Sequence, residues 1–330
     1  ERRRVRLFLR KDAYNRYVSC LVYIPREKFN TSLINRMQDL LMEQFAGTEV
    51  SYTPFFPESI LARIHYVIRT DPKKPIELNT PVIEEKLVQL AQSWYDRLRI
   101  RMVDKFGVDE GEKLFRLYRQ AFPAGYRESF KSSSVLYDIK HIEDLRANTD
   151  LAMTFYRPSD ADPGVLRLKT FRYDENIPLS DVIPMLEYMG LRVLSEQPYQ
   201  LQVGDRDVWL NDFLMYYPET HPIDVDRVKD RFQEAFYNTW RGIAGNDSFN
   251  RLVLAAELTW REVGVLRAYA KYMHQARFLF SQHYIEQAFT NNPGIARLMI
   301  EFFHAYFDPN IAKGRASKLI QIEKNIHHAL

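Results

Sequence analysis

The segment LRLKTFRYDENIPLSDVIPMLEYMGLRVLSEQPY, residues Leu166 to Tyr199, runs through strand, turn, helix and strand patterns in quick succession. Val165 to Tyr173 reads as a strand, and Asp174 to Leu179 is too polar and too rich in turn formers to continue it. Ser180 is placed as a helix N-cap, with Leu179 and Pro184 as a hydrophobic staple around it. The helix then presents Val182, Ile183, Leu186 and Met189 on one face, and Gly190 stops it. Downstream, strand patterns recur at Leu191 to Ser195, Gln200 to Val203 and Val208 to Tyr217, and Gly204-Asp205 turns the last pair. Upstream, Leu151 to Tyr156 pairs with the first strand through the turn-rich Pro158 to Gly164. The order is hairpin, helix, strands.

The opening of the chain has the same order in unrelated residues. Val5, Leu7 and Leu9 alternate with Arg4, Arg6 and Arg10, and Val18, Cys20, Val22 and Ile24 repeat the period of two after a turn at Asp12 to Arg16. Asn30-Thr31 caps a helix with Ile34, Met37, Leu41 and Phe45 on one side. Strands follow near Val50 to Phe55 and Leu61 to Thr70, with Pro54 confining the former to a sheet edge or a strand end. Thr80-Pro81 opens one long helix with the stripe Ile83, Leu87, Leu90, Trp94 and Leu98, ended by Gly107, and a second helix covers about Glu110 to Phe122. The sequence thus repeats an architecture, not a motif.

Between the two regions, Pro123 to Ser134 reads as a linker. From Asp224 onward the period is helical: a stripe of Val225, Val228, Phe232, Ala235 and Thr239, a capping box at Thr259-Trp260-Arg261-Glu262 opening a helix through Met273, and a helix from Pro293 with Ile295, Leu298, Met299, Phe302 and Tyr306 on one face, broken by Asp308-Pro309. The expected fold class is α+β with three divisions: 1–130, 135–220 and a helical region 221–330. The chain begins at Glu1 with a strand almost at once, and it ends on a helical stripe of Leu319, Ile322, Ile326 and Ala329 without a stop signal, so it reads as an excised fragment.

Composition narrows the classes. A chain of 330 residues with 46% hydrophobic and 14% aromatic residues is globular, and its length suggests two or three domains. The net charge of +3 arises from 46 basic and 43 acidic residues, too even a balance for a nucleic-acid surface. One cysteine, Cys20, sits in an apolar run and reads as a buried thiol in a reducing compartment. No apolar run reaches the length of a membrane span and no signal peptide opens the sequence, so a cytoplasmic protein with no nucleic-acid and no membrane partner is expected.

Catalytic patterns are missing from the sequence. The twelve glycines are scattered, without GxGxxG or GxxxxGK, and Gly242 and Gly245 lie in a helix-to-helix turn rather than after a strand. Glu301 and His304 stand three apart, a spacing found in di-iron bundles, but His283 and Glu286 reverse the order and no second set completes a site. Exposed polar positions flanking Phe302 and Phe303 are the plainer reading of Glu301 and His304, and a solvated helix face that of His327-His328. Arg2-Arg3-Arg4 with Arg6 and Arg10 form the solvated face of an edge strand, with phosphate attraction as the alternative. The expectation is no catalytic, cofactor-binding or metal residue.

Several blocks resemble the large bacterial NAD-specific glutamate dehydrogenases: Arg2 to Thr31, Glu58 to Asp71, Leu166 to Tyr199, Val208 to Met215, Asn246 to Gln275 and Phe280 to Phe289. The resemblance implies two ACT-like α/β sandwich modules with largely antiparallel sheets, followed by an all-α helical connector, lying before the dehydrogenase domain. It implies NAD as the cofactor of the parent enzyme, which deaminates L-glutamate to 2-oxoglutarate in amino-acid catabolism, and none for this segment, because the dehydrogenase motifs match nothing here. Implied partners are the rest of the polypeptide and other subunits of a homo-oligomer, with an amino-acid effector. By analogy with ACT modules the effector loop falls on Asp174, Asn176, Pro178, Leu179 and Ser180, although the glycine common in such loops is missing. An ordinary capped turn, and a scaffold pairing its sheet edges without an effector, are the competing readings.

Overall fold

The computed structural model describes residues 5–147, 150–159, 161–218, 223–310 and 314–330. Two compact units divide the chain, Glu1–Lys105 and Phe106–Leu330. Arg2, Arg3 and Arg4 lie outside the described residues, whereas Arg6 is exposed and pairs with Glu84 at 3.0 Å.

The first unit contains β1 (Arg6–Lys11), β2 (Tyr17–Pro25), α1 (Thr31–Gln44), β3 (Glu49–Phe55), β4 (Leu61–Arg69), α2 (Thr80–Ala91) and α3 (Trp94–Phe106). Its sheet runs β1-β2-β4-β3, antiparallel throughout. The register puts Cys20 opposite Tyr66 and Val22 opposite Ile64, so the alternate residues of both central strands share one buried face. Ile34, Met37 and Leu41 of α1 and Ile83 and Leu87 of α2 close over that face. Each such side chain contributes roughly 1.5–3 kcal/mol by burial. The Asn30 side chain accepts from Leu33 N at 2.8 Å, which starts α1 where the sequence expects it. Pro54 lies on the edge strand β3.

The expected long helix is two. α2 is capped by Asn79 rather than Thr80, and the chain breaks at Gln92-Ser93 before α3. Ser93 and Asp96 satisfy each other there, with Ser93 N donating to Asp96 Oδ2 and Asp96 N donating to Ser93 Oγ, both at 3.0 Å. Leu90 and Trp94 keep helical spacing across the break, so periodicity could not reveal it.

The second unit comprises α4 (Val108–Tyr118), α5 (Ala124–Ser129), α6 (Ser132–Ala147), β5 (Ala152–Tyr156), β6 (Val165–Tyr173), α7 (Leu179–Tyr188), β7 (Arg192–Val203), β8 (Arg206–Tyr216), α8 (Val225–Trp240), α9 (Leu252–Ala255), α10 (Trp260–Gln275), α11 (Gln282–Asn291), α12 (Pro293–Phe307) and α13 (Arg315–Ala329). The sheet order β5-β6-β8-β7 repeats the first. Leu166, Leu168, Phe213 and Met215 line one face beneath α7 and α8, where Phe155 and Phe232 stack at 4.1 Å. This core continues without a gap into Phe249, Leu252, Val263, Leu266, Ala296 and Ile300 of the helical region. At the start of α10 both halves of the Thr259/Glu262 capping box are formed.

Three expectations are corrected. Pro123 to Ser134 is not a linker: α5 and the start of α6 occupy it, and Tyr126, Phe130 and Ser132 are buried against the second sheet. Polar serines conceal this, because Ser132 is buried by tertiary packing that local sequence does not encode. Leu191 to Ser195 and Gln200 to Val203 are one strand, β7, which tolerates Pro198 because it is an edge strand and absorbs a register shift between Val193 and Ser195. On α12 the buried residues are Ala296, Ile300 and Ala305, whereas Tyr306 is 53% exposed. Small side chains make the close contact there, and the stripe of larger residues lies beside it.

Candidate functional site

The loop proposed as an effector site leaves β6 after Tyr173. Asp174 takes a left-handed backbone, φ 62°, and its N–H donates to Asp207 O at 3.0 Å, tying the loop to the β7–β8 hairpin. Arg206 donates to the Asp174 carboxylate at 2.6 Å and stacks over the Tyr173 ring at 3.7 Å, and that carboxylate raises the Arg206 pKa. Ile177 is buried and pins the middle of the loop. Asp174, Asn176, Pro178, Leu179 and Ser180 are all exposed, the first three in the loop and its cap, the last two in the first turn of α7. The cap is Pro178, not Ser180: α7 begins at Leu179, Val182 N donates to Pro178 O, and Ser180 Oγ donates to Asp181 Oδ1 at 3.2 Å. With the cap two residues earlier, Leu179 and Pro184 both fall inside the helix and the staple does not form. A proline cap supplies no side-chain acceptor, so sequence rules favour the serine. Arg206 and Ile177 were not anticipated, since nothing local ties Arg206 to a loop thirty-two residues earlier.

The other candidate histidines resolve into ordinary partners. His304 Nε2 contacts Glu262 Oε1 at 2.9 Å, adding to the α10 cap, and His283 meets Gln287 at 3.0 Å. Glu286 is buried and accepts from Gln282 at 2.9 Å. Among the described residues no group of three or more His, Cys, Asp or Glu could hold a metal ion. Gly242 and Gly245 lie in a turn whose Gly245 carbonyl accepts from Asn250 and Arg267, with Arg267 forked onto Asp247 at 2.6 and 2.9 Å. Cys20 is fully buried and its thiol is pushed up to about 12 by that burial, which makes it a poor nucleophile.

A polar layer on the outer face of the second sheet has no counterpart in the sequence patterns. Lys169, 1% exposed, donates to Asp138 of α6 at 2.6 Å and sits 3.7 Å over the Phe130 ring. The Tyr126 hydroxyl donates to the same carboxylate oxygen. Beside them Arg167 donates to Asp212 at 3.0 Å. Burial pushes the Asp212 carboxyl and the Tyr126 hydroxyl up, and Tyr156 to about 12. Lys169, Asp138 and Tyr126 pair with one another, with the Phe130 ring against the ammonium, and so clamp α5 and α6 to the sheet, whereas Asp212 Oδ1 is buried without a partner among the described residues. In the sequence, Arg167 and Lys169 alternate with Leu166 and Leu168 as a solvated face would. Only the presence of α5 and α6 reverses that reading.

The fold defines a class: two α/β sandwiches of one topology, with helices between and after them. Family profiles of glutamate dehydrogenase match in order along it, described as ACT2 domain (residues 6–95), helical motif 2 (101–145), ACT3 domain (150–228) and helical motif 3 (244–309). The chain belongs to the NAD-specific glutamate dehydrogenase family, as a segment of its ACT and helical-motif region. It is 42% identical over 309 residues to the NAD-specific glutamate dehydrogenase of Halomonas elongata, covering 94% of this chain and 19% of that protein. The proteins of the same name from Pseudomonas aeruginosa and Mycobacterium tuberculosis are 38% and 32% identical, over 93% and 96% of this chain and 19% and 20% of theirs. The chain thus spans about a fifth of the length of these relatives. Among the described residues no helix is long and apolar enough to cross a membrane.

Proposed function

We propose that the chain is a regulatory and assembly segment of a cytoplasmic NAD-specific glutamate dehydrogenase, whose whole polypeptide deaminates L-glutamate oxidatively to 2-oxoglutarate and ammonia with NAD. The observation that carries this reading is the ordered series of glutamate dehydrogenase matches between residues 6 and 309, laid over two sheets of identical strand order. Its partners are the dehydrogenase domain elsewhere in the polypeptide and other subunits, reached through exposed edge strands such as β3.

The second module takes an amino-acid effector at Asp174, Asn176, Pro178, Leu179 and Ser180. Support comes from the exposure of all five, at the end of the loop and the start of α7, and from the position of Leu179 and Ser180 at the helix N-terminus, which favours a carboxylate. Effector binding then shifts the equilibrium of the dehydrogenase domain by differential affinity for its states. Two measurements on the chain test the reading. Mixed with NAD and L-glutamate it generates no reduced cofactor and gives no saturable NAD isotherm, and turnover would overturn the assignment. Calorimetry with amino acids gives a saturable isotherm that Asn176→Ala weakens, and an isotherm indifferent to that change removes the loop from the proposal.

A further inference from the structure

The second unit has a cleft of about 740 Å³ at the free edge of β5. One wall is α6, with Tyr137 and Lys140, and the other is α8, with Asp230 and Gln233. The floor is Thr154 to Tyr156 of β5 with Arg157 just after the strand. The cleft stands apart from the Asp174–Ser180 loop: the register pairs Tyr156 with Arg167, near the start of β6, whereas the loop follows the end of that strand. The volume falls within the roughly 300–1,000 Å³ typical of small-molecule sites.

Two kinds of occupant fit a groove along a sheet edge, a peptide strand or a small molecule. The edge itself decides between them. Phe155 N–H points outward and donates to Gln233 Oε1 at 2.8 Å, so the side-chain amide already fills the position a neighbouring strand's carbonyl would take. A strand added to β5 would first have to displace it.

The polar groups in the cleft are divided by charge. Arg157 gives one Nη2 hydrogen bond to Ile223 O at 2.8 Å, but its Nε is buried with no hydrogen-bond partner among the described residues. A buried donor left unpaired is unfavourable, and an acceptor supplied from outside relieves it. Lys140 on α6 has no hydrogen-bond or ion-pair partner among the described residues, and neither has Asp230 on α8. The nearby Asp224 is occupied, because its Oδ1 accepts from Asp226 N at 3.2 Å, and Asp226 in turn lies 3.9 Å from Lys229.

The geometry points to a site for a small zwitterion of the amino-acid class in this cleft, its carboxylate on Arg157 Nε and Lys140 and its ammonium on Asp230. The Tyr137 and Phe155 side of the cleft accommodates the remainder of the molecule. The site goes beyond the effector loop and does not depend on it.

Calorimetry of the chain tests the site with L-leucine, L-glutamine and L-aspartate as probes, and with 4-methylpentanoate and 3-methylbutylamine as single-charge controls. Lys140 and Asp230 are exposed, so Lys140→Met and Asp230→Asn leave folding intact. The expected result is a saturable isotherm with at least one amino acid, at least ~10-fold weaker in each variant and with each control, the effect of losing one charge-assisted hydrogen bond. The component that Lys140→Met and Asp230→Asn weaken is distinct from any component that Asn176→Ala weakens. The proposal is overturned if none of the three probes gives a saturable isotherm, or if binding is insensitive to Lys140→Met and Asp230→Asn. Binding lost only in the Asp174 and Asn176 variants refutes the cleft and leaves the loop standing.

Discussion

Replacing Lys169 by methionine removes the charge at the centre of the second sheet's outer face while keeping most of its volume. The Lys169 and Asp138 side chains are 2% and 3% exposed, and they meet at 2.6 Å. At an effective dielectric of ~20 that separation corresponds to a gross attraction of about 6 kcal/mol. Most of it is offset by the cost of taking both charges out of water. The Phe130 ring 3.7 Å from the ammonium adds about 2 kcal/mol in a desolvated setting. What the substitution measures is therefore not the worth of the pair but the cost of leaving Asp138 charged, buried and held, among the described residues, by the Tyr126 hydroxyl alone. That cost is about 3–5 kcal/mol. For a unit the size of Phe106–Leu330 it lowers the midpoint of thermal unfolding by roughly 6–20 °C. The assay is calorimetric unfolding, following the transition that belongs to the second unit. The double variant Lys169→Met with Asp138→Leu removes the stranded charge and recovers most of the loss. A single variant within ~1 kcal/mol of the parent, or a double variant no better than the single, would refute the reasoning.

Two further outcomes follow from the same structure. Cys20 is neutral and buried, and its folded-state pKa of about 12 lies above the ordinary 9.0. The unfolded chain therefore loses this proton first, so the thiol's contribution is fully present below pH ~9 and is lost as pH rises toward ~12. Denaturant unfolding of the first unit at pH 10 should show a smaller loss for Cys20→Ala than for the parent, and equal losses would contradict it. Thr259→Ala removes the side-chain acceptor for Glu262 N and should cost about 1 kcal/mol, within a range of ~0.5–2, read as a shift in the denaturation midpoint of the second unit.

The sequence by itself determined which segments are strands and helices wherever burial alternates cleanly. Val18, Cys20, Val22 and Ile24 on β2, the stripe of α8 and the capping box of α10 all lie where their spacing puts them, because each pattern is written in residues that touch. It also placed a turn after Tyr173 and a helix behind it, though it put the cap at Ser180 where the structure has Pro178. Only the tertiary structure decided the features that depend on distant chain. The split between α2 and α3 preserves the period across the break, and the run of serines near Ser132 becomes helix because it packs on a sheet formed later in the chain. The Lys169–Asp138 pair, thirty-one residues apart, and the Arg206–Asp174 contact, thirty-two apart, leave no local trace. A charged residue in a strand reads as solvent-facing until something covers it, and what covers this one is a helix whose own sequence carries no signal that it will.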